Sequence, residues 1–301
     1  MKKAIIIIGI LILILLLPYV IKDRSYHSTN GPELSELKYS EIVFPNNYEN
    51  IQLGGMLFLP EAKDTFPIAV IIHGSGSSRR NNKWYLSTVS HLQRNGIAVL
   101  LPDKRGCEKS EGAWIGSDFR QLSTDTKSAV DFIINESNLH YSKIGLVGMS
   151  QGGWIAPIVA TESSDISFIV SMSGASVTTD EQLDFEMVYN IEPYTYKFLA
   201  RLIAPILVRQ IRNKDYYSPI AGFDPIPYWK QIRIPVFFAF GGNDTNLPVD
   251  DCIKRLKAHN LEHFKIKTYP NGGHGILDPE TYKVNQEFLN DLDDFINETN
   301  I

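Results

Sequence analysis

The sequence predicts an α/β protein, a mainly parallel β-sheet covered by helices with a helical insertion late in the chain. Three observations predict it. From residue 39 onward, short apolar runs alternate with longer amphipathic segments, the pattern of strand, helix, strand that builds a covered parallel sheet. Apolar residues make up 44% and charged residues 21% of 301, near the globular average, so one large domain can bury a core of its own. The alternation fails only between about 176 and 230, which marks an insertion within the domain.

Taken in order, the first runs, 39–45 and 51–59, are separated by Asn46 and Asn47 and predict an antiparallel hairpin. Buried strands are expected at 68–73, 97–102, 143–148, 166–172, 236–241 and 264–269. Helical patterns occupy 84–95, 119–135, 151–161, 248–259 and 280–297. The insertion at 176–230 holds two helical patterns and a Pro-rich exit through Pro225 and Pro227. Its second helix, 196–212, carries Phe198, Leu199, Leu202, Ile203, Ile206, Leu207 and Ile211, too broad an apolar stripe for a freely exposed helix. It is expected to pack as a lid over the catalytic face, with core packing or membrane contact as the other ways to cover it.

The N-terminus divides into three parts: 1–21 as a membrane anchor or signal peptide, 22–38 as a polar linker broken by Gly31 and Pro32, and 39–301 as the folded domain. The run 4–21 is uncharged and as a helix would span about 27 Å, close to the hydrocarbon thickness of about 30 Å. No AxA-like tripeptide follows it, which favours an uncleaved anchor; Pro18 leaves cleavage near 25–28 as the alternative. Lys2 and Lys3 keep the N-terminus cytoplasmic and send the domain to the extracytoplasmic side, or into the medium if the leader is cut.

The formal net charge of −5 has no basic cluster beyond pairs such as Arg79-Arg80, which excludes nucleic acid as an expected partner. Cys107 and Cys252 are the two cysteines, equally compatible with one disulfide and with two free thiols. No CxxC or HExxH occurs, so no metal and no cofactor is expected.

The chemistry is concentrated in Gly148-Met149-Ser150-Gln151-Gly152-Gly153, placed where an apolar strand ends and a helical pattern begins. A nucleophile on so tight a strand-helix turn needs small flanking residues and a strained backbone. Ser150 then stands above the sheet at a helix N-terminus, and the amide of Gln151 faces charge developing on a substrate oxygen. A serine hydroxyl needs a base. His274, in the loop Asn271-Gly272-Gly273-His274-Gly275 after the last strand, fits that role, whereas His73, His91, His259 and His263 fall within or beside regular elements. A carboxylate must orient the histidine, and Asp244, after the penultimate strand, completes the order Ser, Asp, His. Asp250 and Asp251 are rivals placed in a first helical turn. The second oxyanion amide is assigned to Ser75 in His73-Gly74-Ser75-Gly76, with Gly76 as the rival. Asp103 and Arg105 are read as braces of the following loop.

On HGSG, DKRG, GMSQGGW, FGGND and GGHG, the chain from about 39 to 298 resembles the α/β-hydrolase superfamily. It is most similar to the bacterial branch of prolyl-oligopeptidase-like and dienelactone-hydrolase-like enzymes. The resemblance implies an α/β-hydrolase fold, a mostly parallel eight-stranded sheet flanked by helices, with a helical cap between strands six and seven. It carries Ser150, Asp244 and His274 over as the triad, and the amides of Gln151 and Ser75 as the oxyanion hole. The expected reaction is acyl transfer through a serine ester on a small ester or short peptide. Carboxylic esters come first, with amide hydrolysis or thioester and acyl-transfer chemistry as alternatives, and a non-enzymatic binding protein last. Phe185, Tyr189, Tyr194, Phe198 and Leu202 in the cap would favour acyl chains, and Glu181, Asp184 or Glu186 a substrate amine.

Overall fold

The structure, a computed structural model, describes residues 7, 13, 15, 17–22, 28–61, 64–135 and 138–299. Most of the expected anchor 1–21 therefore lies outside the described residues. Among the described residues no helix is long and apolar enough to cross a membrane.

Eight strands form one sheet: β1 (Ser40–Asn46), β2 (Ile51–Phe58), β3 (Phe66–Ile72), β4 (Ala98–Pro102), β5 (Tyr141–Met149), β6 (Ile166–Met172), β7 (Val236–Gly241) and β8 (Lys265–Tyr269). Their order across the sheet is β1-β2-β4-β3-β5-β6-β7-β8. β1 and β2 form the antiparallel hairpin that the two asparagines predict, β2 is antiparallel to β4, and every later pair is parallel. Burial on both faces explains the near-continuous apolar strands. Along β3, Ile68, Val70 and Ile72 enter the core on one side of the sheet while Ala69 and Ile71 enter the core on the other, the period of two that a strand imposes.

The helices sort onto those two faces. Helix α1 (Lys83–Arg94) joins one core through Tyr85, Val89 and Leu92. Helices α2 (Phe119–Asn135) and α3 (Gly152–Glu162) join the opposite core through residues such as Phe119, Ala129 and Ile155. β3 lies between β4 and β5, so the chain moves outward in one direction after β3 and in the other after β5. Loops that leave the carboxyl ends of neighbouring strands toward opposite faces open a crevice there, the usual ligand site of such sheets. The HGSG loop follows β3 and the serine turn follows β5.

Between β6 and β7 the chain builds the cap from α4 (Thr179–Ile191) and α5 (Lys197–Ile211), followed by the short helix α6 (Ile226–Trp229). α4 starts in a capping box, Thr178 accepting from the Glu181 amide while the Glu181 carboxylate accepts from the Thr178 amide. The expectation that α5 buries its whole apolar stripe is corrected. Only Ala200, Ala204 and Val208 are buried, and Phe198, Leu202, Ile203 and Ile206 are exposed. Small residues let α5 lie close on α4, Leu207 and Ile211 pack partly buried against the core, and Phe198, Leu202, Ile203 and Ile206 are left outside.

After β7 come α7 (Val249–Ala258) and, beyond β8, α8 (Gln286–Glu298). α8 starts later than the pattern from 280 suggests. The Asp278 carboxylate accepts from the amides of Glu280 and Thr281, a turn that competes with helix, and Asn285 supplies the cap to Phe288. Within the linker, Asn30 bridges to Lys283, Leu34 and Leu37 pack on the core, and Glu33 pairs with Lys83 at 2.5 Å. Cys107 and Cys252 are free thiols. Burial pushes the Cys252 thiol up to about 11.

Candidate active site

β5 ends at Met149, α3 begins at Gly152, and the turn between them leaves almost no room. A side chain at Gly148 would place Cβ 2.4 Å from the Gly152 carbonyl oxygen, and one at Gly152 would lie 2.3 Å from the carbonyl of Ile72. Ser150, caught between them, takes φ +53°, the left-handed region that β-carbon-bearing residues avoid. The surrounding lattice holds it there: its amide donates to Met172 at 2.9 Å and its carbonyl accepts from Gly153 at 2.8 Å.

His274 reaches the serine from a loop folded back over the sheet edge. Asn243 donates to the Gly272 carbonyl at 2.8 Å, Ile276 to Gly273 at 2.9 Å, and the Trp84 indole to Gly275 at 3.1 Å. So held, the imidazole places Nε2 2.8 Å from Ser150 Oγ and Nδ1 2.8 Å from Asp244 Oδ2. The Asp244 side chain is fully buried, and its second oxygen accepts from the amides of Asn246 at 2.7 Å and Leu247 at 3.1 Å. Those two bonds fix the orientation of the carboxylate. The three side chains singled out in the sequence thus meet in one hydrogen-bonded chain. The rivals do not join it: Asp250 and Asp251 are exposed in the first turn of α7, where Asp251 pairs with Lys254.

Ser75 and Gln151 line the same cavity as Ser150 and His274, a space of about 500 Å³ under the cap. Among the described residues neither amide donates to the carbonyl of another loop or turn. Asp103 and Arg105 brace, as the sequence suggests. Arg80 grips Asp103 with bonds of 2.8 and 2.7 Å, and Arg105 grips Asp125 with bonds of 2.7 and 2.8 Å. His73 donates to the Pro102 carbonyl at 2.5 Å and accepts from Ser78, and burial lowers it to about 4, so it is neutral.

Sequence reasoning missed Lys104, which lies between two residues it flagged. Its ammonium is buried in the cavity wall, donates to the Gly74 carbonyl at 2.7 Å and to Gln151 Oε1 at 3.3 Å, and stands 5.4 Å from the Trp114 ring centre. Burial lowers it to about 8. Gly74 is held from its other side by Tyr85, whose hydroxyl accepts its amide at 2.9 Å. A lone cation between Asp and Arg carries no sequence signal of its own; only the fold turns it inward.

The cap residues read as acyl-binding are also corrected. Tyr194, Phe198 and Leu202 are exposed, and Phe185 and Tyr189 pack on each other at 4.7 Å, outside the cavity lining. The cap residues that do line it include Leu183, Met187, Ile211 and Tyr217. Of the three acids, Glu186 lines the cavity, bonded to Gln182 and Asn246. Glu181 caps α4 and pairs with Arg255, and Asp184 pairs with Arg212.

The class that this fold and site define is the α/β-hydrolase superfamily of serine hydrolases. The chain belongs to the family described as BAAT / Acyl-CoA thioester hydrolase C terminal, whose family model matches residues 127–290. That span holds Ser150, Asp244 and His274 but not the HGSG loop. Among curated proteins the chain is similar to Esterase EstD of Thermotoga maritima, 23% identical over 85% of this chain and 66% of that one. It is likewise similar to the acylamino-acid-releasing enzyme of Rattus norvegicus, 25% identical over 78% of this chain but only 33% of the relative. The chain thus spans about two thirds and one third of the length of these two relatives. A solved esterase from Pyrococcus furiosus shares the fold with a TM-score of 0.67 at 18% identity, covering 91% of this chain and 99% of that one.

Proposed function

We propose that the protein hydrolyses carboxylic esters through an acyl-enzyme on Ser150, and the observation that carries the proposal is the imidazole of His274 bridging hydroxyl and carboxylate at 2.8 Å on either side. His274 Nε2 takes the proton from Ser150 Oγ as the oxygen bonds to the ester carbonyl carbon. Negative charge moves to the carbonyl oxygen, where the amides of Gln151 and Ser75 donate to it. Asp244 keeps Nδ1 protonated and stabilises the imidazolium. The C–O bond to the alcohol then breaks, and the alcohol leaves with the proton from His274. Water, deprotonated by the same nitrogen, attacks the acyl-serine and returns the hydroxyl.

Lys104 holds the Gly74 carbonyl and the Gln151 side chain, so it positions both halves of the oxyanion site while its charge adds to their field. A cap wall of Leu183, Met187 and Ile211 suits an apolar acyl group. A second reading, cleavage of an amide or peptide bearing a free amine, is favoured by Glu186, a carboxylate in the wall with amide donors but no cation within ion-pair reach among the described residues. Thioester cleavage is supported by the description of the matching family. The catalytic domain is placed on the extracytoplasmic side, a reading supported by Lys2 and Lys3 ahead of the uncharged run 4–21.

A fluorophosphonate probe followed by a substrate panel tests the reading. The probe is expected to label the wild type and not Ser150→Ala. Nitrophenyl esters of rising chain length are expected to turn over faster than aminoacyl nitroanilides and acyl thioesters. The reverse ranking replaces the ester reading, and labelling that persists in Ser150→Ala removes the nucleophile.

A further inference from the structure

Helix α5 is apolar on both sides. Its inner face packs through Ala200, Ala204 and Val208, and directly opposite, one turn apart along the helix, Phe198, Leu202 and Ile206 stand 61, 68 and 62% exposed, with Ile203 beside them. A helix that is apolar all round is ordinarily covered. The charges on it are one-sided as well. Residues 196–214 contain Lys197, Arg201, Arg209, Arg212 and Lys214 and no acid, in a chain whose net charge is −5. Arg212 is paired with Asp180 and Asp184, and Lys197 lies near Glu192. Arg201, Arg209 and Lys214 are exposed with no acid in ion-pair reach among the described residues.

A second apolar segment, distant in sequence, meets the cap where α5 begins. The Tyr19 ring lies 6.3 Å from Tyr194, and Lys22 donates to the carbonyls of Glu192 and Thr195, both at 3.0 Å. Leu13, Leu15, Leu17, Val20 and Ile21, all of the uncharged run, are exposed.

We propose that the outer face of α5 lies on a phospholipid surface carrying anionic headgroups, with Phe198, Leu202 and Ile206 in the acyl boundary and Arg201, Arg209 and Lys214 at the headgroups. Arg201 and Arg209 lie on the helix beside the apolar residues and Lys214 follows its end, a basic and apolar mix that suits an interfacial helix. The run 4–21, which ends against this same edge, leads to the same surface. A second copy fits less well, because two-fold pairing of this face would set one cluster of cations against another. The inference stands apart from the ester reading. The cap helix α4, with Leu183 and Met187 in the cavity wall, lies between this face and Ser150, so docking would set the roof of the site toward the lipid.

The test uses the full chain carrying Cys107→Ser and Leu202→Cys, labelled at position 202 with an environment-sensitive fluorophore, with Ile206→Cys as a second labelling site. Vesicles of phosphatidylcholine alone are compared with vesicles containing phosphatidylglycerol, and flotation establishes that the chain is bound. On anionic vesicles the emission is expected to shift to the blue, and lipids spin-labelled high in the acyl chain are expected to quench most of it. High salt or the pair Arg201→Gln and Arg209→Gln should reverse both effects. A label that stays in water while the chain floats with anionic vesicles overturns the proposal. So does a label already shielded before vesicles are added, whether sedimentation then finds a dimer, covered by a second copy, or a monomer, covered by its own leader. Hydrolysis of a short nitrophenyl ester, run alongside, reports separately on the ester reading.

Discussion

Strand β5 and helix α5 are both apolar for most of their length, yet β5 is buried along Lys143–Met149 while α5 leaves Phe198, Leu202, Ile203 and Ile206 in solvent. The difference lies in what surrounds them. β5 is paired on both edges, with β3 and β6, and covered on both faces, so every residue type along it is answered by a neighbour. Among the described residues α5 packs chiefly on α4, and the small side chains at Ala200 and Ala204 settle which face turns to it. Apolarity specifies burial where the topology supplies partners on every side; where it supplies one, apolarity leaves open which face is inside.

The comparison can be broken or sharpened experimentally, starting at the carboxyl end of β5. On the proposed mechanism Ser150→Ala should lower kcat/KM by about 10⁴-fold or more with unchanged stability; an esterase assay with a denaturant midpoint checks both halves. Asp244→Asn should cost on the order of 10⁴-fold in kcat, because the wrong imidazole tautomer then faces the serine. If this variant retains wild-type turnover, the carboxylate of Asp244 does not orient His274.

Below these in size comes the core under the cap. Trp229, fully buried against Phe238 and Phe264, should lose about 3–5 kcal/mol of stability on Trp229→Ala, read from urea unfolding. Lys104→Met should lower kcat/KM by about tenfold and yet raise stability at pH 7 by roughly 1 kcal/mol. The sign follows from linkage. With the folded value at about 8 and the unfolded one near 10.4, the unfolded chain binds the extra proton between them, so wild-type stability rises with pH across that window. The advantage of the methionine variant is present below pH 8 and fades toward pH 10. The wild-type activity profile should fall on its alkaline side near pH 8, and the variant should lack that fall. Smallest of all, Phe198→Ser in vesicle-free buffer should move stability by less than about 0.5 kcal/mol. A loss comparable to that of Trp229→Ala would mean that α5 is covered after all.

How much of this was legible in the sequence depends on the same distinction. Strands at 166–172 and 236–241 and the helix at 119–135 were readable to the residue because strand and helix periods differ and glycines or prolines punctuate them. Ser150, Asp244 and His274 were readable because each sits in a glycine-bearing turn just after a strand, a position defined by local chain geometry. Lys104 was not, because whether a lysine after a strand points to water or into the cavity depends on β2 and on the HGSG loop together. The cap lining was misread at Phe198 and Leu202, where large size suggested the inside, and close approach of two helices instead selected alanines.

The segment before β1 is fastened to the body at Asn30, whose amide donates to the Tyr282 carbonyl, and at Glu33, which pairs with the lysine preceding Trp84. Both attachments lead to the same place. Residues 277–284 form the return of the chain just past His274, and Trp84 holds the Gly275 carbonyl. A displacement of the segment before β1 would therefore reach the support of the imidazole, while Ser150 rides on a strand at the middle of the sheet. The histidine side of the site is thus coupled to the start of the chain, and the serine side to the centre of the sheet.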